Sequence, residues 1–125
     1  MIKNVAVCWF RQDLRLSDNP ALSAAAEHEH VLPVYILDTK NPGILAPGAA
    51  SRWWLHWSLH ALNQSLGGEL SVYEGDPHQI LTGLVQRLPV TAVYWNRCYD
   101  PWRMERDTKI KSVLKERGIQ VGSHN

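Results

Sequence analysis

Three times in this chain a helix is announced by an Asx–Pro pair: Asn19-Pro20, Asp76-Pro77 and Asp100-Pro101. An Asn or Asp side chain at the N-cap accepts a hydrogen bond from a free N–H of the first turn. Proline in that turn has φ already set and no N–H to leave unsatisfied. Each pair follows closely on a short run rich in β-branched, aromatic or other apolar residues, Val5 to Phe10, Leu70 to Glu74 and Thr91 to Trp95, which predicts a strand. Val5-Ala6-Val7-Cys8-Trp9-Phe10 has no polar interruption and fits a strand covered on both faces. Val31 to Leu37 reads as another strand and Ile119 to Val121 as a fifth, short one, with helices from about Pro20 to Glu29, from near Ala50, after Asp76 and after Asp100. The segment Thr39 to Ala49, holding Pro42, Gly43, Pro47 and Gly48, is too broken for a helix and long enough for a functional loop. Strands alternating with helices demand a parallel sheet. Right-handed crossovers then place helices on both faces, giving a doubly wound five-stranded α/β domain. The pattern alone leaves the strand order open between 3-2-1-4-5 and a flavodoxin-like order.

Helical periodicity assigns the inner faces. The helix after Asp76 offers Ile80, Leu81, Leu84, Val85 and Leu88, and the last helix offers Ile110, Val113 and Leu114 before Gly118 ends it. Its basic residues Lys109, Lys111, Lys115 and Arg117 are favourable near a helix C-terminus. In the long helix, Leu55, Leu59, Leu62 and Leu66 fall within about 60° of one another, so they form the packed face. Trp53 and Trp57 then project to the opposite side with His60 and Gln64, where they are expected to be exposed or to meet another chain. Gly67-Gly68 reads as the terminator of that helix.

Composition bounds the function. The 125 residues, 45% hydrophobic, suffice for one core, and a formal charge of +1 gives no electrostatic reason for unaided DNA binding. No apolar stretch approaches the roughly 20 residues that span a bilayer, and Met1-Ile2-Lys3-Asn4 leads into a strand rather than a signal sequence, so a cytoplasmic protein with no membrane contact is expected. Cys8 and Cys98 have no metal-ligand spacing and fit reduced thiols. His56 and His60 lie one turn apart but lack a glutamate general base and a third ligand, and read as structural or solvent-facing. Ser51, Ser58 and Ser71 lack a nucleophile elbow, and neither a Gly-x-Gly-x-x-Gly fingerprint nor a Walker lysine loop is present. No catalytic or metal-ligating residue is assigned.

In doubly wound domains ligands gather outside the carboxyl ends of the strands. That rule selects Phe10 and Arg11, Leu37 and Asp38, and Asn96 through Trp102. A pocket between strands one and four would be lined by Phe10, Arg11, Asn96, Arg97 and Tyr99, a mixture of rings and hydrogen-bonding groups suited to a flat polar heteroaromatic rather than a triphosphate. The competing reading is plain loop surface, with Arg11, Asp13 and Arg15 pairing among themselves while Leu14 and Leu16 pin the loop.

The stretch Trp9-Phe10-Arg11-Gln12-Asp13-Leu14-Arg15-Leu16-Ser17-Asp18-Asn19-Pro20-Ala21-Leu22 resembles the opening of the DNA photolyase/cryptochrome family. Ser51-Arg52-Trp53-Trp54-Leu55, Gly75-Asp76-Pro77, Tyr94-Trp95-Asn96 and Tyr99-Asp100-Pro101 agree in order, and Gly122-Ser123-His124-Asn125 is similar to the family's Gly-Ser-Phe-Asn. The resemblance implies strand order 3-2-1-4-5, with residues 1–125 as the amino-terminal domain of a longer flavoprotein. A helical domain beyond it would bind FAD and receive damaged DNA, so DNA would be met only through the full-length protein. It also implies that this domain holds an antenna chromophore, a methenyltetrahydrofolate, a deazaflavin or FMN, with Phe10, Arg11, Leu37, Asp38, Arg52 and Asp100 as pocket candidates. Trp102-Arg103 stand where some folate-binding photolyases carry Asn-Glu, so the folate-clasping carboxylate is missing from that position. The implied activity of the longer protein is light-driven repair of cyclobutane pyrimidine dimers by reduced FAD. A blue-light signalling cryptochrome and a stand-alone nucleotide-binding stress-type protein are the alternatives.

Overall fold

The computed structural model describes residues 4–11, 19–38, 49–97 and 101–124, and the side chains of all of these except 38, 49–52 and 101–103. Five strands, β1 (Val5–Phe10), β2 (His30–Asp38), β3 (Ser71–Gly75), β4 (Val90–Asn96) and β5 (Gln120–His124), form one sheet in the order β3-β2-β1-β4-β5. Every pairing is parallel. Four helices cross between them: α1 (Pro20–Ala25), α2 (Ala49–Ser65), α3 (Pro77–Arg87) and α4 (Pro101–Glu116). The order is the one the family resemblance implied.

Successive strand residues point to opposite faces, and both faces are covered. Val5, Val7 and Trp9 of β1 pack with Leu81 and Leu84 of α3 and with Ile110 and Leu114 of α4. Ala6, Cys8 and Phe10 pack with Ala21 and Ala25 of α1 and Leu62 of α2. All six residues of β1 are therefore buried, which is why its sequence shows no alternation. Each large side chain buried this way contributes about 1.5–3 kcal/mol relative to exposure. Cys8 is a buried thiol, and Cys98 lies outside the described residues.

Two helix caps form as the sequence predicts. Asn19 Oδ1 accepts from the Leu22 N–H at 3.1 Å, and Asp76 Oδ1 accepts from the His78 N–H at 3.1 Å. The third, at Asp100, lies outside the described residues. Leu55, Leu59, Leu62 and Leu66 all pack on the sheet, and Gly67 and Gly68 end the chain's helical course at φ +69° and +83°.

Three expectations are corrected. Helix α1 stops at Ala25 rather than near Glu29: the following backbone closes into tighter turns, Glu27 N–H to Ala24 and His28 N–H to Ala25. The His28 ring is at the same time held by Asn4 and Tyr94, a tertiary anchor that helical geometry does not have to serve. Leu88, expected on the inner face of α3, is 40% exposed, because it is the C-cap with extended backbone, where the helical rotation no longer applies. Strand β5 runs on through Gly122 and Ser123 to His124, beyond Val121. Gly122 permits it: opposite Tyr94 in register, a Cβ at this position would come within 2.5 Å of Tyr94 Cδ1, so only glycine lets β5 pair beneath that ring.

Candidate functional site at the carboxyl edge of the sheet

The parallel strands bring Phe10, Leu37 and Asp38, Gly75, Asn96 and His124 to one edge of the sheet. Tyr35 stands opposite Phe10, and Asp38 opposite Gly75, so the ends of β1, β2 and β3 lie side by side. Phe10 is buried in the α1/α2 face of the core and Leu37 is half-buried against it. Asp38 is the last residue of β2, and Arg52 lies in the first turn of α2. Asp100 lies outside the described residues.

Arg11 is engaged outside its own loop sequence. Only 8% exposed, it reaches across the fold to α4, where its Nη2 lies 2.7 Å from Asp107 Oδ2. Arg106 joins the same carboxylate through Nη2 and Nε, each 3.2 Å from Oδ1. The guanidinium carbons of Arg11 and Arg106 stand 4.7 and 5.3 Å from the Trp9 ring centroid, and Trp9 meets Trp95 edge-on at 5.4 Å. Two cations, one carboxylate and two indoles thus tie the exit of β1 to α4. Asp13 and Arg15 lie outside the described residues.

Asn96 is likewise engaged. Its Oδ1 accepts from the Ala21 N–H at 3.1 Å and its Nδ2 donates to Asn19 Oδ1 at 2.7 Å, so the end of β4 holds the first turn of α1. Of the lining expected between strands one and four, Phe10 and Asn96 lie on the α1 side, whereas Arg11 reaches α4 and Arg97 turns toward Ser123 of β5. Tyr99 lies outside the described residues.

A polar chain that sequence reasoning missed runs along the α1 face. Thr91 Oγ1 donates to Asn4 Oδ1, the His28 Nδ1 is 3.1 Å from the same oxygen, and His28 Nε2 is 2.8 Å from the Tyr94 hydroxyl. Burial, reinforced by the charge of Glu27, holds the Tyr94 phenol above its ordinary value of 10.0. No local signal could have found this chain, since its members come from before β1, after α1 and on β4.

On the outer face of α2, Trp53 is 66% and Trp57 51% exposed, as the helical phase predicts, and Trp54, which that phase did not single out, is 61% exposed. Trp53 and Trp57 meet edge to face at 6.3 Å, and the exposed His56 and His60 rings flank Trp57 at 5.4 and 5.9 Å. Among the described residues no group of three His, Cys, Asp or Glu is arranged to hold a metal ion, and no helix is long and apolar enough to cross a membrane.

The DNA photolyase family model matches residues 6–125. The chain belongs to the DNA photolyase family. Among curated relatives of this photolyase-family domain, the deoxyribodipyrimidine photo-lyase of Agrobacterium fabrum is 48% identical over 121 residues, covering 94% of this chain and 25% of the relative. Cryptochrome-2 of Arabidopsis thaliana is 42% identical over 125 residues, covering 95% of this chain and 20% of the relative. The chain thus spans a quarter or less of the length of these two relatives. Among solved structures, a bacterial class III photolyase from Agrobacterium tumefaciens superposes with a TM-score of 0.88 at 43% identity, over 99% of this chain and 26% of that one. An archaeal photolyase from Sulfolobus tokodaii, described with two FAD molecules and the implication of a novel light-harvesting cofactor, superposes at 0.83 with 30% identity, over 97% of this chain and 29% of that one.

Proposed function

We propose that this domain holds the light-harvesting chromophore of a photolyase-type flavoprotein whose longer chain repairs cyclobutane pyrimidine dimers. The observation that carries the reading is the likeness over nearly the whole chain to a class III photolyase, in which this stretch is about a quarter of the protein. A light-harvesting cofactor implied for the archaeal relative supports a pigment beyond the catalytic flavin. The physics asks little of the domain itself: excitation passes from a strongly absorbing pigment to the flavin without electron exchange, so the protein's task is placement and screening from water. The adjoining ends of β1 and β2, with Phe10, Leu37 and Asp38, and the first turn of α2, with Arg52, are the proposed seat, and Arg11 and Asp100 are its remaining candidates. Methenyltetrahydrofolate, a deazaflavin and FMN are the candidate pigments. FAD and damaged DNA would be bound by the helical domain of the longer protein, which would act in the cytoplasm.

The near-equal identity to a photolyase and to a plant cryptochrome supports a second reading, a blue-light signalling protein of the same architecture. Light-dependent dimer splitting by the longer protein decides between them: repair is expected, and its absence with photoreduction intact would favour signalling. For the domain, each pigment is offered to the 125-residue chain and retention after gel filtration is read by absorbance. Arg52→Ala and Asp38→Ala should weaken retention more than Gln79→Ala on the exposed side of α3. Equal effects at all three would remove the strand-end seat, and stoichiometric FAD copurifying with residues 1–125 would overturn the division of labour.

A further inference from the structure

Helix α4 carries five basic residues against three acidic ones, and one of its cations, Lys111, meets a cation from outside the helix. Glu105 is taken by Lys109 at 3.6 Å, and Asp107 by Arg11 and Arg106. Lys111 lies one turn beyond Asp107 and finds that carboxylate engaged. It reaches across to the edge strand instead, placing Nζ 3.4 Å from Ser123 Oγ. From the other side Arg97, the first residue beyond β4, brings Nε to 3.2 Å from the same oxygen, its backbone fixed by a 2.7 Å hydrogen bond from its N–H to the His124 carbonyl.

A serine hydroxyl has two lone pairs and one proton. When Arg97 and Lys111 occupy the lone pairs, the proton is left to donate. The cluster therefore presents an ammonium, a guanidinium and a hydroxyl with donors only, and among the described residues no carboxylate forms an ion pair with either cation. Both contacts lie at or beyond the long end of hydrogen-bond range, so the hydroxyl marks the position between the cations without saturating them. Lys111 and Ser123 are half-buried and Arg97 is exposed, which leaves the cluster open on one side. It lies at the carboxyl ends of β4 and β5, the side of a doubly wound sheet where ligands gather.

We infer that Arg97, Lys111 and Ser123 form an oxyanion subsite that takes the phosphate or carboxylate group of a small anionic ligand. An oxyanion is acceptor-only and negative, the complement of a donor-only cationic cluster, and charge-assisted hydrogen bonds to it are about twice as strong as neutral ones. The subsite stands independently of the chromophore reading, because the probes that test it, phosphate and acetate, are not pigments.

The test is a titration of the 125-residue chain with inorganic phosphate and, separately, with acetate, followed by nitrogen-15 NMR at constant ionic strength set by chloride. Saturable shifts are expected at the Arg97 Nε–H and at the backbone amides of Lys111 and Ser123. Arg97→Gln and Lys111→Gln should each weaken binding roughly tenfold, the loss of one charge-assisted hydrogen bond. Lys111→Arg should retain binding, and so should Lys115→Gln, an exposed cation of the same helix without a Ser123 contact. Saturation by phosphate alone assigns a phosphate group, by acetate alone a carboxylate, and by both an oxyanion of either kind. Shifts that never saturate, or that are the same in the Lys111→Gln and Lys115→Gln proteins, overturn the subsite. Arg97 is exposed and outside the core, so Arg97→Gln keeps the test decisive should Lys111→Gln fold poorly.

Discussion

The two faces of the sheet are built on different principles. On the α3/α4 face, large residues such as Trp9, Trp95, Leu81 and Ile110 fill the interior, and the Arg11–Asp107–Arg106 cluster sits against the indoles. On the α1/α2 face small residues, Ala6 and Ala92 of the strands with Ala21 and Ala25 of α1, share the interior with Phe10, Tyr35 and Tyr94, while large aromatics of α2 stand outside in water. Buried charge on the first face is committed to holding the fold. Aromatic surface on the second meets, among the described residues, the rings of its own helix. The contrast separates structural polarity from surface left for partners, and it orders the expected effects of mutation.

The largest effect should come from Asp107→Ala, which takes from two buried guanidinium groups the carboxylate they share. Removing one partner of a buried ion pair costs about 3–5 kcal/mol, visible as a fall in the urea midpoint. A loss below about 1 kcal/mol would mean that the cluster is solvated and that the two faces do not differ as described.

Gly122→Ala tests how closely β5 approaches Tyr94. The new methyl group would overlap Tyr94 Cδ1 and Cε1, and overpacking of this kind costs about 1–3 kcal/mol. Tyr94→Phe should not relieve that loss, because the clash is with the ring rather than the hydroxyl. Relief by Phe would place the strain elsewhere.

Tyr94→Phe by itself removes the hydrogen bond to His28, worth about 1 kcal/mol. It also tests a pH dependence. Because the folded phenol is held above its ordinary value of 10.0, the folded state keeps its proton while the unfolded chain loses it. That contribution to stability is fully present below the unfolded value and is lost as pH rises through the folded one. Urea midpoints should therefore fall more steeply above about pH 10 in the native sequence than in Tyr94→Phe. Parallel profiles would remove Tyr94 as the cause.

The smallest effect belongs to the outer face of α2. Trp53→Ser with Trp57→Ser should change stability by no more than about 0.5 kcal/mol, as exposed positions do. The same pair should remove much of the tryptophan emission that acrylamide quenches. A large stability loss would show that these rings support the domain rather than stand ready for a partner chain or for the rest of a longer protein.

Much of the architecture was legible because it depends on local rules. Asn19 and Asp76 cap their helices wherever they stand, the period of Leu55, Leu59, Leu62 and Leu66 fixes which side of α2 is wet, and an uninterrupted run such as Val5 to Phe10 has to be buried on both faces. The strand order came from family motifs rather than from local pattern, and the carboxyl edge could be located but not furnished. What stands there depends on which distant groups the topology brings together. Arg11 reaches Asp107 of α4, Asn96 spends its amide on α1, His28 bridges Asn4 and Tyr94, and Arg97 meets Lys111 at Ser123. Periodicity and capping act within a few residues, so the chain alone determines its elements and their wet and dry faces. Hydrogen bonds and ion pairs between buried side chains reward spatial neighbours whatever their separation in sequence, so which polar groups are spoken for, and which remain open to a ligand, was decided only by the tertiary fold.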